Sequence, residues 1–336
     1  MEQSGREKTG EPKNDVASLI GPSPGGTLGA YVAYMKSAAL PAALGAGGKY
    51  AWVRQERGLL QRLPLEEASP PDAAEVDAML DLNGIWLVNY LLPPDAVRRA
   101  NCFDYVARDP SYALEGLSGN TRSKIRRGLR RFSIRLCTWA ELAERGFPAH
   151  ADTASRHGYR LPPPDDLKPY IDRCRGQPFF DIWGAWHGQE LAAWITVVKI
   201  DDWAIIDLAR STTSALSSYP NNALFYEALR HLLQVEKRRY VTYGLSSLQV
   251  SASELSLHKF KRSMGFEAVP LERVFAAGPL LSAALNWRLS SWMLEKVTRM
   301  LPQFALLRKA AGLSRLMSGR EKAPLDWADA PELDGG

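Results

Sequence analysis

An aspartate stands inside an otherwise apolar run, Trp203–Ala209 (WAIIDLA). A carboxylate in such a strand is costly unless it is hydrogen-bonded or opens into a cleft. Asp207 is therefore a candidate general base, and a structural hydrogen bond to a neighbouring strand or loop is the plainer account of it. Tyr243, in the run Tyr240–Gly244, is a candidate acid or hydrogen-bond donor, or else a half-buried sheet aromatic. His258 and Lys261 are i,i+3 neighbours and project together from one helical face. A fixed cation there stabilises a phosphate or a developing oxyanion; an ordinary solvated helix face is the alternative.

Two further segments suit an anion. Ser217, Ser218, Asn221 and Asn222 crowd the start of an amphipathic helix expected from about Asn222 to Lys237. Helix N-termini present unsatisfied N–H groups that favour phosphate, although Asn221 or Asn222 can simply cap the helix. The second segment is a basic helix over about Asn120–Phe132. Arg122, Arg126 and Arg130 follow i,i+4 spacing, with Lys124, Arg127 and Arg131 beside them and Ile125, Leu129 and Phe132 as the buried stripe. No acidic residue lies between Gly116 and Ala140, so this face is not built from compensating pairs. It is suited to a CoA or carrier-protein phosphopantetheine, a tRNA or an acidic acceptor, or it is merely solvated.

Composition narrows the classes. The chain has 336 residues, an ordinary apolar fraction and a net charge of +5. Its three cysteines are far apart and form no CxxC, which argues for reduced thiols in a cytoplasmic protein. The five histidines show no HxxxH or HExxH spacing, so no metal site is expected. Residues 1–27 read as a disordered arm, neither signal nor anchor.

The elements that must position these residues follow from periodicity and turn chemistry. In the front third, 28–116, a helix from Leu28 ends near Pro41. Strands are expected at Tyr50–Arg54, Ile85–Leu91 and Asn101–Ala107, with a helix around Ala73–Leu80. After the basic helix come a strand at Ser133–Cys137 and helical segments around Trp139–Arg156 and Asp165–Arg175. A three-strand meander follows: Phe179–Trp186, Leu191–Ile200 and Trp203–Ala209. Leu224, Ala228, Leu232 and Val235 stripe the next helix, and Tyr240–Gly244 is a strand. A capping box at Ser251–Glu254 opens a helix, with Leu257, Phe260 and Met264 expected to face the core. That helix stops at Gly265, and Phe266–Phe275 is the last strand. The order predicts an α/β chain, an α+β mixed sheet flanked by helices over 117–275. Amphipathic helices follow at 276–318, then an acidic, disordered tail at 319–336. Eight Lys or Arg lie between Arg288 and Lys322, and the apolar residues between them suit either the headgroup region of an anionic membrane or packing onto the body of the protein.

This order, with these lengths, resembles the GNAT acyltransferase fold, and three segments resemble its FemAB-like branch: the basic helix Asn120–Arg131, the run Tyr219–Arg230 (YPNNALFYEALR), and His258–Phe266 (HKFKRSMGF), similar to the family's "FK…GF" ending. One departure is that the loop Arg210–Asn221 contains no glycine, so the usual acetyl-CoA signature Q/R-x-x-G-x-G/A is absent.

The resemblance implies a splay between Trp203–Ala209 and Tyr240–Gly244 that takes a thioester arm, with the lysine matching Lys261 near the donor. The expected activity is N-acyl transfer from acyl-CoA or acyl-carrier protein to an amine, with no permanently bound cofactor. An aminoacyl-tRNA-dependent transferase of the Fem type and a non-catalytic scaffold of the same fold are the alternatives. The expected location is cytoplasmic, with contact to the inner face of the membrane through 280–317 as a further option.

Overall fold

A computed structural model describes residues 26–66, 68–94, 100–157, 166–246 and 252–279, with isolated positions 281, 282, 292, 296, 311, 313 and 314. Residues 1–25 of the arm expected at 1–27, the acidic tail, the Ser251 capping box and most of the C-terminal helices lie outside these residues, and Thr27 already belongs to the first helix.

The front third folds as α1 (Thr27–Ser37), β1 (Ala42–Leu44), β2 (Ala51–Glu56), β3 (Leu59–Leu63), α2 (Ala73–Leu80), β4 (Leu87–Leu92) and β5 (Cys102–Ala107). The first helix stops at Ser37, short of Pro41. Ala39 takes a left-handed φ of 54° and Pro41 follows, so the chain leaves the helix and enters an edge strand. The strand expected from Tyr50 is one arm of a hairpin whose turn is closed by Gly58 at φ 80°.

The remainder runs α3 (Gly119–Arg131), β6 (Ser133–Leu136), α4 (Trp139–Arg145), α5 (Phe147–Arg156), α6 (Lys168–Cys174), β7 (Phe180–His187), β8 (Glu190–Ile200), β9 (Trp203–Ser211), α7 (Pro220–Arg230), β10 (Tyr240–Leu245), α8 (Ala252–Ser263) and β11 (Glu267–Ala277). All eleven strands form one mixed sheet in the order β1-β2-β3-β4-β11-β5-β10-β9-β8-β7-β6. The boundary expected near Leu117 falls within one continuous sheet. β5 lies between β10 and β11, and β11 pairs with β5 over Glu267–Leu271 and with β4 over Glu272–Ala277.

Both faces of the sheet centre are covered, which explains the nearly unbroken apolar run of β8. On one face α3, α7 and α8 close a core that includes Ile125, Leu224, Phe225, Ile195, Val241 and Met264. On the other, Leu28, Val32 and Met35 of α1 meet Val198, Ile200 and Tyr240. Beside them Leu142, Ala149 and Ile171 of α4–α6 bury Ile182 and Trp194. The Ser118 hydroxyl caps α3, accepting the Thr121 N–H at 3.3 Å, and Thr138 with Glu141 forms a capping box on α4. The α1 N-terminus is capped from a distance: the Asp201 carboxylate, on the β8–β9 turn, accepts the Thr27 N–H at 2.8 Å.

Two expected stripes shift. After α7 the chain continues as a π turn, His231–Val235, whose wider pitch rotates Val235 off the buried stripe to 61 % exposure. On α8 the buried positions are His258, Lys261 and Met264, while Leu257 is exposed. The polar residues occupy the core-facing stripe because they have buried partners to reach.

Candidate active site

β9 and β10 run parallel and side by side, paired only at Trp203–Tyr240, Ala204–Val241 and Ile205–Thr242. Beyond that point both strands continue, and each carries a bulge. On β9 the register against β8 jumps from Val197–Ile206 to Thr196–Leu208, leaving Asp207 as the extra residue. On β10 the register against β5 jumps between Thr242 and Leu245, so the extra length falls at Tyr243–Gly244, with Gly244 at φ 69°. Bulges bend a strand and strengthen its twist. Two of them stand on adjoining strands at the same level, where the β9–β10 ladder ends.

Asp207 stands at this level, on the side of α6. The Tyr170 hydroxyl lies 3.1 Å from its Oδ2 and 3.0 Å from the Thr196 hydroxyl, which in turn accepts the Leu208 N–H of the bulge. Asp207 keeps an exposed surface. Loss of water around its carboxyl raises its pKa above the usual carboxylate range, against the opposing effects of Tyr170, Arg210 and Arg173. Arg210, three residues further along β9, is held by His150: its Nε lies 3.2 Å from Nδ1, and the ring's Nε2 lies 3.1 Å from Asp166.

Tyr243 faces the other layer. Its ring packs 4.9 Å from that of Phe225 and 5.9 Å from that of Phe266, and burial pushes its hydroxyl well above the ordinary tyrosine range. Asp207 and Tyr243 thus belong to different layers, with Arg210 exerting its charge on both.

Lys261 and His258 do project together, but into the protein. Lys261 is 4 % exposed, and its Nζ donates to the Tyr243 carbonyl at 2.9 Å. It lies 4.1 Å from the Tyr105 ring centre, and the Tyr105 hydroxyl is 2.7 Å from His258 Nδ1. The ordinary solvated face is thereby set aside. Beneath them Asp104 of β5 is fully buried. Its Oδ1 accepts the Thr242 hydroxyl at 2.5 Å, while among the described residues Oδ2 has no hydrogen-bond partner. Burial pushes this carboxyl up to about 6, in spite of Thr242 and Lys261.

At the start of α7 the expected cap is corrected. Tyr219 occupies the N-cap position at φ 62°, Pro220 is the first helical residue, and no side chain caps the helix. Asn221 Nδ2 reaches the Ser211 hydroxyl at 3.3 Å and Asn222 Nδ2 reaches Met264 Sδ at 3.5 Å, because both side chains already lie inside the first turn. Ser217 is exposed and Ser218 half-buried in the preceding turn. Helix α3 crosses here. A Cβ on Gly128 would stand 2.6 Å from the Tyr219 carbonyl oxygen, so only glycine permits this approach. The crossing brings Arg127 to 4.8 Å and Lys124 to 6.0 Å from the Tyr219 ring centre. Arg126 and Arg130 stay exposed and Arg122 half-buried, and none of the three forms an ion pair among the described residues.

Sequence reasoning missed Asp104, Thr242, Tyr170, Arg210 and His150. The first had the signal that marked Asp207, an acid inside an apolar strand (CFDYVA). The others gain their meaning only from the fold. Among the described residues no cluster of His, Cys, Asp and Glu could hold a metal ion, and no helix is long and apolar enough to cross a membrane.

No family model matches the chain, and no curated protein matches it. Solved structures do. FemX is similar with a TM-score of 0.50 at 8 % identity, over 75 % of this chain and 91 % of that one. The structure of L-PGS from Bacillus licheniformis aligns over 94 % of this chain and 99 % of its own, with TM-score 0.47 and 11 % identity. A GCN5-related N-acetyltransferase from Kribbella flavida aligns over 75 % and 95 %, with TM-score 0.39 and 11 % identity. With a parallel β9–β10 pair laddered over three residues and a meander before it, the chain has the GNAT fold, in the form shared with FemX.

Proposed function

We propose that this protein is an N-acyltransferase that moves an acyl group from a thioester, acyl-CoA or acyl-carrier protein, to an amine. The observation that carries this reading is the parallel β9–β10 pair whose ladder ends after three residues at two bulges, with Asp207 at that level; we read the space beyond the ladder as the donor slot. Acyl transfer to an amine asks for a donor held in a groove, a base for the ammonium proton and hydrogen bonds to the developing oxyanion. Asp207 is the base: a carboxylate lifted above its ordinary range is a better proton acceptor. Arg210, held by His150, supplies positive charge beside it. Tyr243, whose hydroxyl stays protonated, serves as a hydrogen-bond donor to the departing sulfur.

The experiment is transfer by the intact chain from acetyl-CoA, longer acyl-CoAs and acyl-carrier protein to a panel of amines, followed by mass spectrometry. Asp207→Asn should lower the rate by about 10²–10⁴-fold without unfolding the chain. Wild-type transfer undiminished in Asp207→Asn would remove the assigned base. No transfer from any donor would leave the scaffold of the same fold.

A second reading has its own support. Arg122, Lys124, Arg126, Arg127, Arg130 and Arg131 lie on one helix without an acidic partner among the described residues, and that helix crosses the start of α7. A polyanionic donor, an aminoacyl-tRNA, fits such a surface, and the glycine-free loop beside it lacks the usual acetyl-CoA signature. Arg126→Glu with Arg130→Glu should abolish tRNA binding and spare CoA binding if this reading holds; equal retention of tRNA by the variant would end it. Contact with a membrane through 280–317 concerns residues mostly outside those described.

A further inference from the structure

The carbonyl of Tyr243 and the N–H of Gly244 belong to one peptide unit, and both ends of it are gripped. Lys261 Nζ donates to the Tyr243 carbonyl at 2.9 Å. The Gly244 N–H donates to the Thr242 hydroxyl at 3.0 Å, and that hydroxyl donates onward to Asp104 at 2.5 Å. In a trans peptide the N–H and C=O point in opposite directions. The two grips therefore come from opposite faces of the sheet: Asp104 and Thr242 from the side of α1, Lys261 from α8.

The chain of contacts is also ordered electrically. It runs from a buried carboxylate through a hydroxyl to the positive end of the peptide dipole, and from its negative end to a buried ammonium. Each charge favours the same peptide orientation, and a half-turn of the peptide would set N–H against ammonium and C=O against hydroxyl oxygen. Gly244 at φ 69° supplies the backbone conformation that this orientation requires, in open space where a Cβ would meet no atom within 4 Å. This peptide is the bulge of β10, at the level where β10 leaves β9.

We infer that Asp104, Thr242 and Lys261 form a clamp on the Tyr243–Gly244 peptide that sets the opening between β9 and β10. This rests on the reading of that opening as the donor slot. Lys261 is then a positioning residue whose ammonium is committed to the Tyr243 carbonyl, and Asp104, from the front third of the chain, is a part of the site. The arrangement also accounts for two charged side chains in a sheet centre, where an isolated charge is strongly disfavoured.

The test is amide hydrogen exchange on the full chain, resolved to Gly244 by fragmentation mass spectrometry, in wild type, Thr242→Val, Thr242→Ser, Lys261→Met and Lys261→Arg. A neutral hydrogen bond and one to a charged group differ in strength, so Thr242→Val should speed Gly244 exchange by about fivefold and Lys261→Met by about tenfold. Thr242→Ser keeps the hydroxyl and Lys261→Arg the cation, so both should hold exchange within about twofold of wild type. The double variant Thr242→Val with Lys261→Met should fall short of the product of the singles, because both release one peptide. Amides of β8 serve as the reference for intact folding, and where one of the two disruptive variants loses them the clamp is judged on the other.

Unchanged Gly244 exchange in Thr242→Val and Lys261→Met overturns the clamp. Transfer assays on the same proteins separate the two readings. Exchange that responds as stated while wild type transfers no acyl group retains the clamp and removes the transferase. Transfer with unresponsive exchange does the reverse.

Discussion

Asp104→Asn isolates the cost of a buried carboxylate. The residue has no exposed surface, and burial lifts its pKa from 3.8 to about 6. A group whose folded pKa lies above its unfolded one contributes stability that is fully present below the unfolded value and is lost as pH rises through the folded value. At neutral pH the shift of about two units corresponds to about 3 kcal/mol, at 1.36 kcal/mol per unit. Asn keeps an acceptor for the Thr242 hydroxyl but cannot titrate. The difference in unfolding free energy between wild type and variant should therefore move by about 2 kcal/mol between about pH 4.5 and pH 7.5, wild type being the relatively weaker protein at the higher pH. Urea unfolding of both proteins across that range, followed by tryptophan fluorescence, measures it. A difference that stays flat, or that moves towards wild type as pH rises, would refute the reasoning. It would mean that the attraction of Lys261 outweighs desolvation and that Asp104 behaves as a paired carboxylate.

Removing the carboxylate that caps α1, in Asp201→Ala, should cost about 1 kcal/mol in denaturant unfolding, whereas Asp201→Asn should retain most of that cap and tolerates the left-handed φ of 46°. Gly128→Leu drives a side chain into the Tyr219 carbonyl and Ala223, so a loss of about 1–3 kcal/mol or more is expected, with weakened binding of any anion held between α3 and α7. A chain that begins at Leu117 lacks β5, which pairs with both β10 and β11. It should be unfolded by circular dichroism and gel filtration, and a compact, cooperatively melting product would contradict the continuity of the sheet.

Much of the fold was legible because its periodicities are strong. The meander Phe179–Ala209, the basic helix and the pair Trp203–Ala209 with Tyr240–Gly244 are all found close to their expected bounds, since β-branched runs and well-marked turns leave few alternatives. The misses share a cause. Ala39 at φ 54°, the π turn after Arg230 and the bulges at Asp207 and Tyr243–Gly244 are single-residue changes of phase. Each is decided by packing that the local sequence does not contain. The candidate site was legible as residue types, because Asp207 and Lys261 stand out where they are. Their partners did not, because Tyr170, His150 and Asp104 are brought in from elements far away in the chain.

That distance bears on how the slot is made. A bulge alone bends a strand but leaves its freed peptide to choose between orientations. On β9 the choice is made locally, since Thr196 on the neighbouring strand accepts the Leu208 N–H. On β10 it is made by groups from two remote segments, β5 in the front third and α8 near the end of the chain. The opening therefore exists only when both segments have docked. This gives the front third a role that its position in sequence hides: it supplies the central strand β5 and, with it, the carboxylate side of the clamp. Substitutions around Asp104 should accordingly read out at the slot sooner than in the packing of the front third itself.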